Sequence, residues 1–265
     1  MTGTGDIRNV VREKYGAIAQ GSQAGCGCDS GAGGCCGGSA VDQVAEYIGY
    51  TPEQLAALPE GANLGLGCGN PLAHADPQPG EVVLDLGSGA GMDAFLAGRE
   101  VGPTGRVIGV DMTPQMLEKA RANAAAVGAA NVEFRLGEIE HLPVADASVD
   151  LIISNCVVNL SPDKEQVFRE AFRALRPGGR MVVSDLVLLR TLSEEVRRSV
   201  EAYVGCVAGA ASKEDYLRAI REAGFHDVAV VEERSYGDAD LFGGAEWMRE
   251  AARSVVSAKV RAVKP

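Results

Sequence analysis

Apolar residues recur in two rhythms along this chain. In DIRNVVREKYGAIAQ (residues 6–20), Ile7, Val10, Val11, Tyr15 and Ile18 fall at helical spacing behind an acidic start, which predicts an amphipathic helix. From Glu81 onward, EVVLDL, RVIGVD, VEFRLG, VDLIIS and RMVVSD are short apolar runs separated by stretches with a 3.6-residue period. Such runs need cover on both faces, so the alternation predicts βαβ units and a doubly wound, mostly parallel α/β sheet. After Ser184 the rhythm breaks into two helical stretches, SEEVRRSVEAYVG and SKEDYLRAIREAG, and two later strand-like runs, DVAVVEE and SAKVRAV. Upstream, Thr51 and Pro52 mark a helix start and Pro59 its stop.

One stretch has no apolar period. GSQAGCGCDSGAGGCCGGS is glycine-rich and cannot by itself repay the entropy of ordering, so a mobile loop carrying four cysteines is expected. The expected organisation is a helical N-terminal extension over residues 1–80 with that loop at 21–40, a core over 81–187, and an α+β C-terminal region over 188–265.

Composition narrows the picture. With 265 residues, 46% of them hydrophobic, the chain can bury about three quarters of its unfolded surface in one sizeable core. A formal net charge of −11 without any lysine or arginine block argues against nucleic acid as a partner. The first thirty residues lack a basic start followed by an apolar run, and no run of about 18 apolar residues occurs, so no membrane association and a cytoplasmic protein are expected. A monomer is the separate expectation for its assembly. In a reducing compartment seven cysteines point to metal or thiol chemistry rather than a disulfide framework.

VVLDLGSGAGMD sets Asp85, Gly87, Ser88, Gly89 and Gly91 at the first strand-to-helix turn, where missing side chains let backbone N–H groups approach a ligand. Asp111 ends the second strand run, where its carboxylate can accept both hydroxyls of a ribose. The glycines do not follow the G-x-G-x-x-G spacing of a dinucleotide site. With Asp85 ahead of them, they resemble the first motif of the seven-strand S-adenosylmethionine methyltransferases. The resemblance implies a Rossmann-like class I methyltransferase sheet. It also implies that Asp85 orients the amino-acid end of S-adenosylmethionine, that Gly137, Glu138 and Ile139 of RLGEIEHLPV lie at the adenine, and that Met112 and Asn155 belong to the cofactor site. ALRPGGRMVVSD matches the approach to the family's fifth strand.

Methyl transfer to oxygen or nitrogen ordinarily needs a general base, yet the three histidines, His74, His141 and His226, are scattered. The chain offers thiols instead. In IISNCVVNL, Cys156 stands at the carboxyl end of a central strand run, where open α/β sheets bind ligands; Cys68 precedes the first strand and Cys206 follows the fifth. Each alone is ordinary core filling. Together they can converge over one sheet edge, and their separations are not the short paired spacings of a zinc finger. Three soft thiolates suit a thiophilic trivalent centre such as arsenic(III), whose lone pair can attack a methyl sulfonium with no base to activate it.

ANLGLGCGNP, VVLDLGSGAGMD, VIGVDMTPQMLEKAR, RLGEIEHLPV, IISNCVVNLSPDKEQVF and EAYVGCVAGA together resemble the arsenite S-adenosylmethionine methyltransferases, from about Gly61 to Gly224. The resemblance implies that Cys156 and Cys206 hold the arsenic and that Cys68 joins them for inorganic arsenite. Successive transfers would then give mono-, di- and trimethylated products, with glutathione or thioredoxin supplying exchangeable thiols and reducing power. Two departures stand out. Many relatives carry a further cysteine just after the glycine loop, where this chain has Ala94, and the family's N-terminal cysteine has four candidates here, Cys26, Cys28, Cys35 and Cys36, as arsenic captors or disulfide partners of Cys68. The residues alone leave two rivals open: a methyltransferase of an organic small molecule with the cysteines merely packing, and a soft-metal chaperone or sensor on a relic cofactor fold.

Overall fold

A computed structural model describes residues 4–21, 38–235, 250 and 252–265 of the chain. Cys26, Cys28, Cys35 and Cys36, with most of the expected 21–40 loop, lie outside the described residues. The apolar runs form strands β1 (Val82–Leu86), β2 (Arg106–Asp111), β3 (Val132–Leu136), β4 (Val149–Asn155) and β5 (Leu175–Leu188). The two later runs form β6 (His226–Ser235) and β7 (Val255–Val263). All join one sheet in the order β3-β2-β1-β4-β5-β7-β6. Strands β1 to β5 pair in parallel, whereas β7 inserts antiparallel to both β5 and β6. Strand order reverses between β1 and β4, and that switch point opens a crevice at their carboxyl ends.

Helices α1 (Thr4–Ala19), α2 (Gly38–Tyr47), α3 (Pro52–Ala56) and α4 (Leu72–Ala75) precede the sheet. Helices α5 (Met92–Val101), α6 (Pro114–Val127) and α7 (Lys164–Ala174) follow β1, β2 and β4; α8 (Glu194–Arg198), α9 (Val200–Val204) and α10 (Lys213–Glu222) lie between β5 and β6. The strands alternate their side chains between two apolar layers. Leu84, Leu86 and Ile152 pack with Val167 and Phe168 of α7 and Tyr216 and Ile220 of α10, while Val83, Leu151 and Ile153 pack with α5 and α6. Burying each such side chain contributes about 1.5–3 kcal/mol, which is why both faces of these strands must be apolar. A third cluster, including Val11 of α1, Leu160, Leu186, Val196 and Val207, surrounds Cys68 and Cys206.

Three boundaries differ from the sequence expectation. Helix α3 stops at Ala56, ahead of Pro59, because the chain tightens into i→i+3 bonds, with Ala57 N donating to Gln54 O and Leu58 N to Leu55 O. SEEVRRSVEAYVG is two helices: Ser199 is extended and its side chain caps α9 by accepting from Ala202 N. Strand β5 reaches Leu188, beyond the RMVVSD run, because its far end pairs with β7 as far as Val255.

Candidate active site

The turn after β1 is tied to the neighbouring strand: Gly87 N and Ser88 N both donate to Val110 O, at 2.8 and 3.0 Å. Gly87 has φ +70°, and a Cβ there would stand 2.4 Å from the Val157 side chain, so only glycine fits this turn. Asp85 is buried at 2% exposure, and its Oδ2 has no hydrogen-bond partner among the described residues. Burial, then the carboxylates of Asp93 and Asp111, push its pKa well above the usual range. An orphaned acceptor among carboxylates is a seat for a cationic donor, and the α-ammonium of S-adenosylmethionine fits that requirement.

Asp111 ends β2, where Oδ2 accepts from Gly89 N at 3.0 Å and Oδ1 from Thr113 N at 2.8 Å. Burial raises its pKa against those bonds. The carboxylate thus anchors the glycine turn and keeps lone pairs for further donors. A cleft of about 670 Å³ runs over these residues; Met112, Gly137, Ile139 and Asn155 also line it. Gly91 and Glu138 are not among its walls. Gly91, at φ +97°, starts α5, and a Cβ there would meet Phe95 and Phe134. Glu138 instead pairs with α1, 3.4 Å from Arg12 and 3.8 Å from Arg8, while Arg12 also donates to Met112 O. Helix α1 is thereby fastened across the end of the cleft lined by Met112, Gly137 and Ile139.

The thiols gather at the other end. A carboxylate oxygen of Asp185 and the Sγ atoms of Cys68 and Cys156 all lie within 4.8 Å of one another. Cys206 Sγ donates to Cys156 O at 2.9 Å. Cys68 Sγ and Cys156 N both donate to Ser184 O, at 3.5 and 2.8 Å, so one carbonyl within β5 gathers two of the cysteines. Cys156 and Cys206 are free thiols. The neighbouring thiols of Cys206 and Cys68, then burial, push the Cys156 thiol well above its ordinary pKa, and burial pushes Cys68 up. Neutral thiols suit a neutral arsenous acid: each exchange forms an As–S bond and sends the thiol proton out with hydroxide as water.

Three residues at this site escaped the sequence reading. Asp185, 1% exposed, accepts from Asn159 Nδ2 (2.8 Å), Leu186 N (3.0 Å), Asn159 N (3.2 Å) and Tyr216 Oη (3.3 Å), and burial lifts its pKa to about 7. Its place at the end of RMVVSD, like that of Asp111 in RVIGVD, was an available signal. Tyr15 donates to Val204 O at 3.2 Å, which brings α1 against the turn that carries Cys206. Tyr50 Oη donates to Asp93 Oδ1 at 2.6 Å. Nothing in the sequence marks either tyrosine, because their partners are far away along the chain.

Residues 77–224 match the model of a methyltransferase domain family. An arsenite methyltransferase of Halobacterium salinarum is 48% identical over 98% of this chain and 67% of its own length. One from Aquipseudomonas alcaligenes is 46% identical over 57% of this chain and 46% of its own, so the chain spans about two thirds of the first relative and less than half of the second. The crystal structure of an arsenic(III) S-adenosylmethionine methyltransferase from Chlamydomonas reinhardtii superposes with a TM-score of 0.67 at 36% identity, covering 85% of this chain and 73% of that one. On the glycine turn, the seven-strand sheet and these matches, the chain belongs to the arsenite methyltransferase family, with the class I S-adenosylmethionine-dependent fold.

Proposed function

We propose that this chain transfers methyl groups to trivalent arsenic held by Cys68, Cys156 and Cys206. The observation that carries the reading is the convergence of the three thiols, from three separate segments, at the carboxyl edge of the sheet beside the glycine turn. S-Adenosylmethionine supplies an electrophilic methyl on a sulfonium. Asp85 would hold its ammonium, Asp111 its ribose hydroxyls, and Gly137 and Ile139 its adenine. The thiols replace hydroxide on arsenic, fix the metalloid in place and leave its lone pair as the nucleophile, so no general base is required. Apolar walls, among them Val11, Leu160 and Val207, exclude water from the reacting end.

The finer parts of the proposal are the cofactor core over residues 81–187, a monomeric chain in the cytoplasm, and a thiol reductant, glutathione or thioredoxin. The reductant would return arsenic to the trivalent state, since each transfer oxidises arsenic by two electrons. Among the described residues no helix is long and apolar enough to cross a membrane. Valence divides the labour of the thiols. Arsenite has three exchangeable positions and takes all three cysteines, whereas methylarsenite has two and takes Cys156 and Cys206. Cys68→Ser should therefore lose arsenite methylation and keep methylarsenite methylation, both assayed on one preparation with one thiol. Equal loss on both substrates would overturn the division.

A further inference from the structure

We propose that Tyr50 and Asn155 are positioning residues that hold Cys68 in place as the third thiol, and so set the preference for arsenic with three exchangeable ligands. The proposal rests on the arsenic reading above. Asn155 closes β4 directly before Cys156, yet its carboxamide is spent on the other cysteine's loop. Oδ1 accepts from Cys68 N at 3.0 Å, and Nδ2 lies 2.6 Å from Gly69 O. The amide thus accepts from the Cys68 N–H and donates to the carbonyl of the next residue, Gly69, as a neighbouring strand would.

The loop is shaped for this clamp. Gly67 has φ +108°, and a Cβ there would stand 2.8 Å from Asn155 Nδ2; a Cβ on Gly69 would stand 2.1 Å from Ser184 Oγ. Only glycine at both positions lets the backbone lie flat between the two side chains. From the far side, Ser257 Oγ of β7 donates to Cys68 O at 2.6 Å.

Tyr50 fixes the direction of the clamp. Its hydroxyl donates to Asp93 Oδ1 at 2.6 Å and accepts from Asn155 Nδ2 at 2.9 Å, and Nδ2 also lies 3.3 Å from Asp93 Oδ2. With the amide nitrogen held by these acceptors, Asn155 cannot rotate to offer it to Cys68, so Oδ1 must face the Cys68 N–H. The network reaches neither of the other two thiols by any of these bonds. Cys156 is backed by Ser184 O and Cys206 by Tyr203 O. Losing the Tyr50 hydroxyl therefore loosens the third arsenic ligand while the pair needed for methylarsenite stays in place.

The test measures kcat/KM for arsenite and for methylarsenite on wild type, Tyr50→Phe, Cys68→Ser and the double variant, with one thiol and saturating S-adenosylmethionine. Tyr50→Phe is expected to lower the arsenite value by roughly tenfold, the scale of one buried hydrogen bond to a charged group. The methylarsenite value should stay within about twofold, and adding Tyr50→Phe to Cys68→Ser should cost nothing further. Should Tyr50→Phe not fold, Ser257→Ala loosens the same loop from the other side and is expected to give the same split. Equal loss on both substrates from either variant, or a further loss in the double variant, overturns the proposal while a split in Cys68→Ser leaves the arsenic reading standing. If Cys68→Ser itself loses both substrates alike, the division of labour fails and the proposal with it.

Discussion

Cys206 Sγ donates to the carbonyl oxygen of Cys156 at 2.9 Å, and both residues sit in the left-handed region, at φ +64° and +59°. Non-glycine residues rarely adopt that conformation, which costs about 1–3 kcal/mol where the surroundings enforce it. The enforcement is visible: Cys156 N is anchored to Ser184 O at 2.8 Å and Cys206 N to Tyr203 O at 2.9 Å. The strained turns aim two thiols from distant parts of the chain at one place. Such strain on both members of a pair supports a shared ligand over incidental packing.

Asp111 joins the cofactor turn to β2 by accepting from Gly89 and Thr113. Asp111→Ala removes that brace together with the proposed ribose acceptor. Affinity for S-adenosylhomocysteine is expected to fall by roughly tenfold or more. Calorimetric titration checks this, and unchanged affinity would remove Asp111 from the site.

Asp185 gives a pH signature. Burial raises its folded pKa to about 7, above the roughly 4 of an unfolded aspartate. The folded state then binds the extra proton between those values, so the contribution of Asp185 to stability is fully present below pH about 4 and is lost as pH rises through about 7. Asp185→Asn does not titrate. Its unfolding free energy relative to wild type should rise by about 1.4 kcal/mol per pH unit across that window and level off above it. Denaturant melts of both proteins at several pH values read the slope; a flat difference would contradict the perturbed carboxyl.

Much of the fold was legible because buried parallel strands must be apolar on both faces, and EVVLDL or VDLIIS admits few other readings. The glycine turn was legible for a steric reason, as Gly87 shows against Val157. Ser199 could have been read as a helix cap, but it was absorbed into a longer periodic stretch. The clamp on Cys68 was not legible. Asn155, Tyr50, Asp93 and Ser257 come together only through tertiary packing, and no local spacing records that one carboxamide serves a loop 87 residues away.

The central claim is that arsenic bound by Cys156 and Cys206 receives the methyl group. It is tested most directly by speciating arsenic after wild type, Cys156→Ser and Cys206→Ser are each incubated with S-adenosylmethionine, a thiol, and either arsenite or methylarsenite. The account expects methylated arsenicals and matching S-adenosylhomocysteine from wild type, and neither product from the two variants on either substrate. Substantial methylated arsenic from either variant, or arsenic binding by wild type without consumption of S-adenosylmethionine, would contradict it.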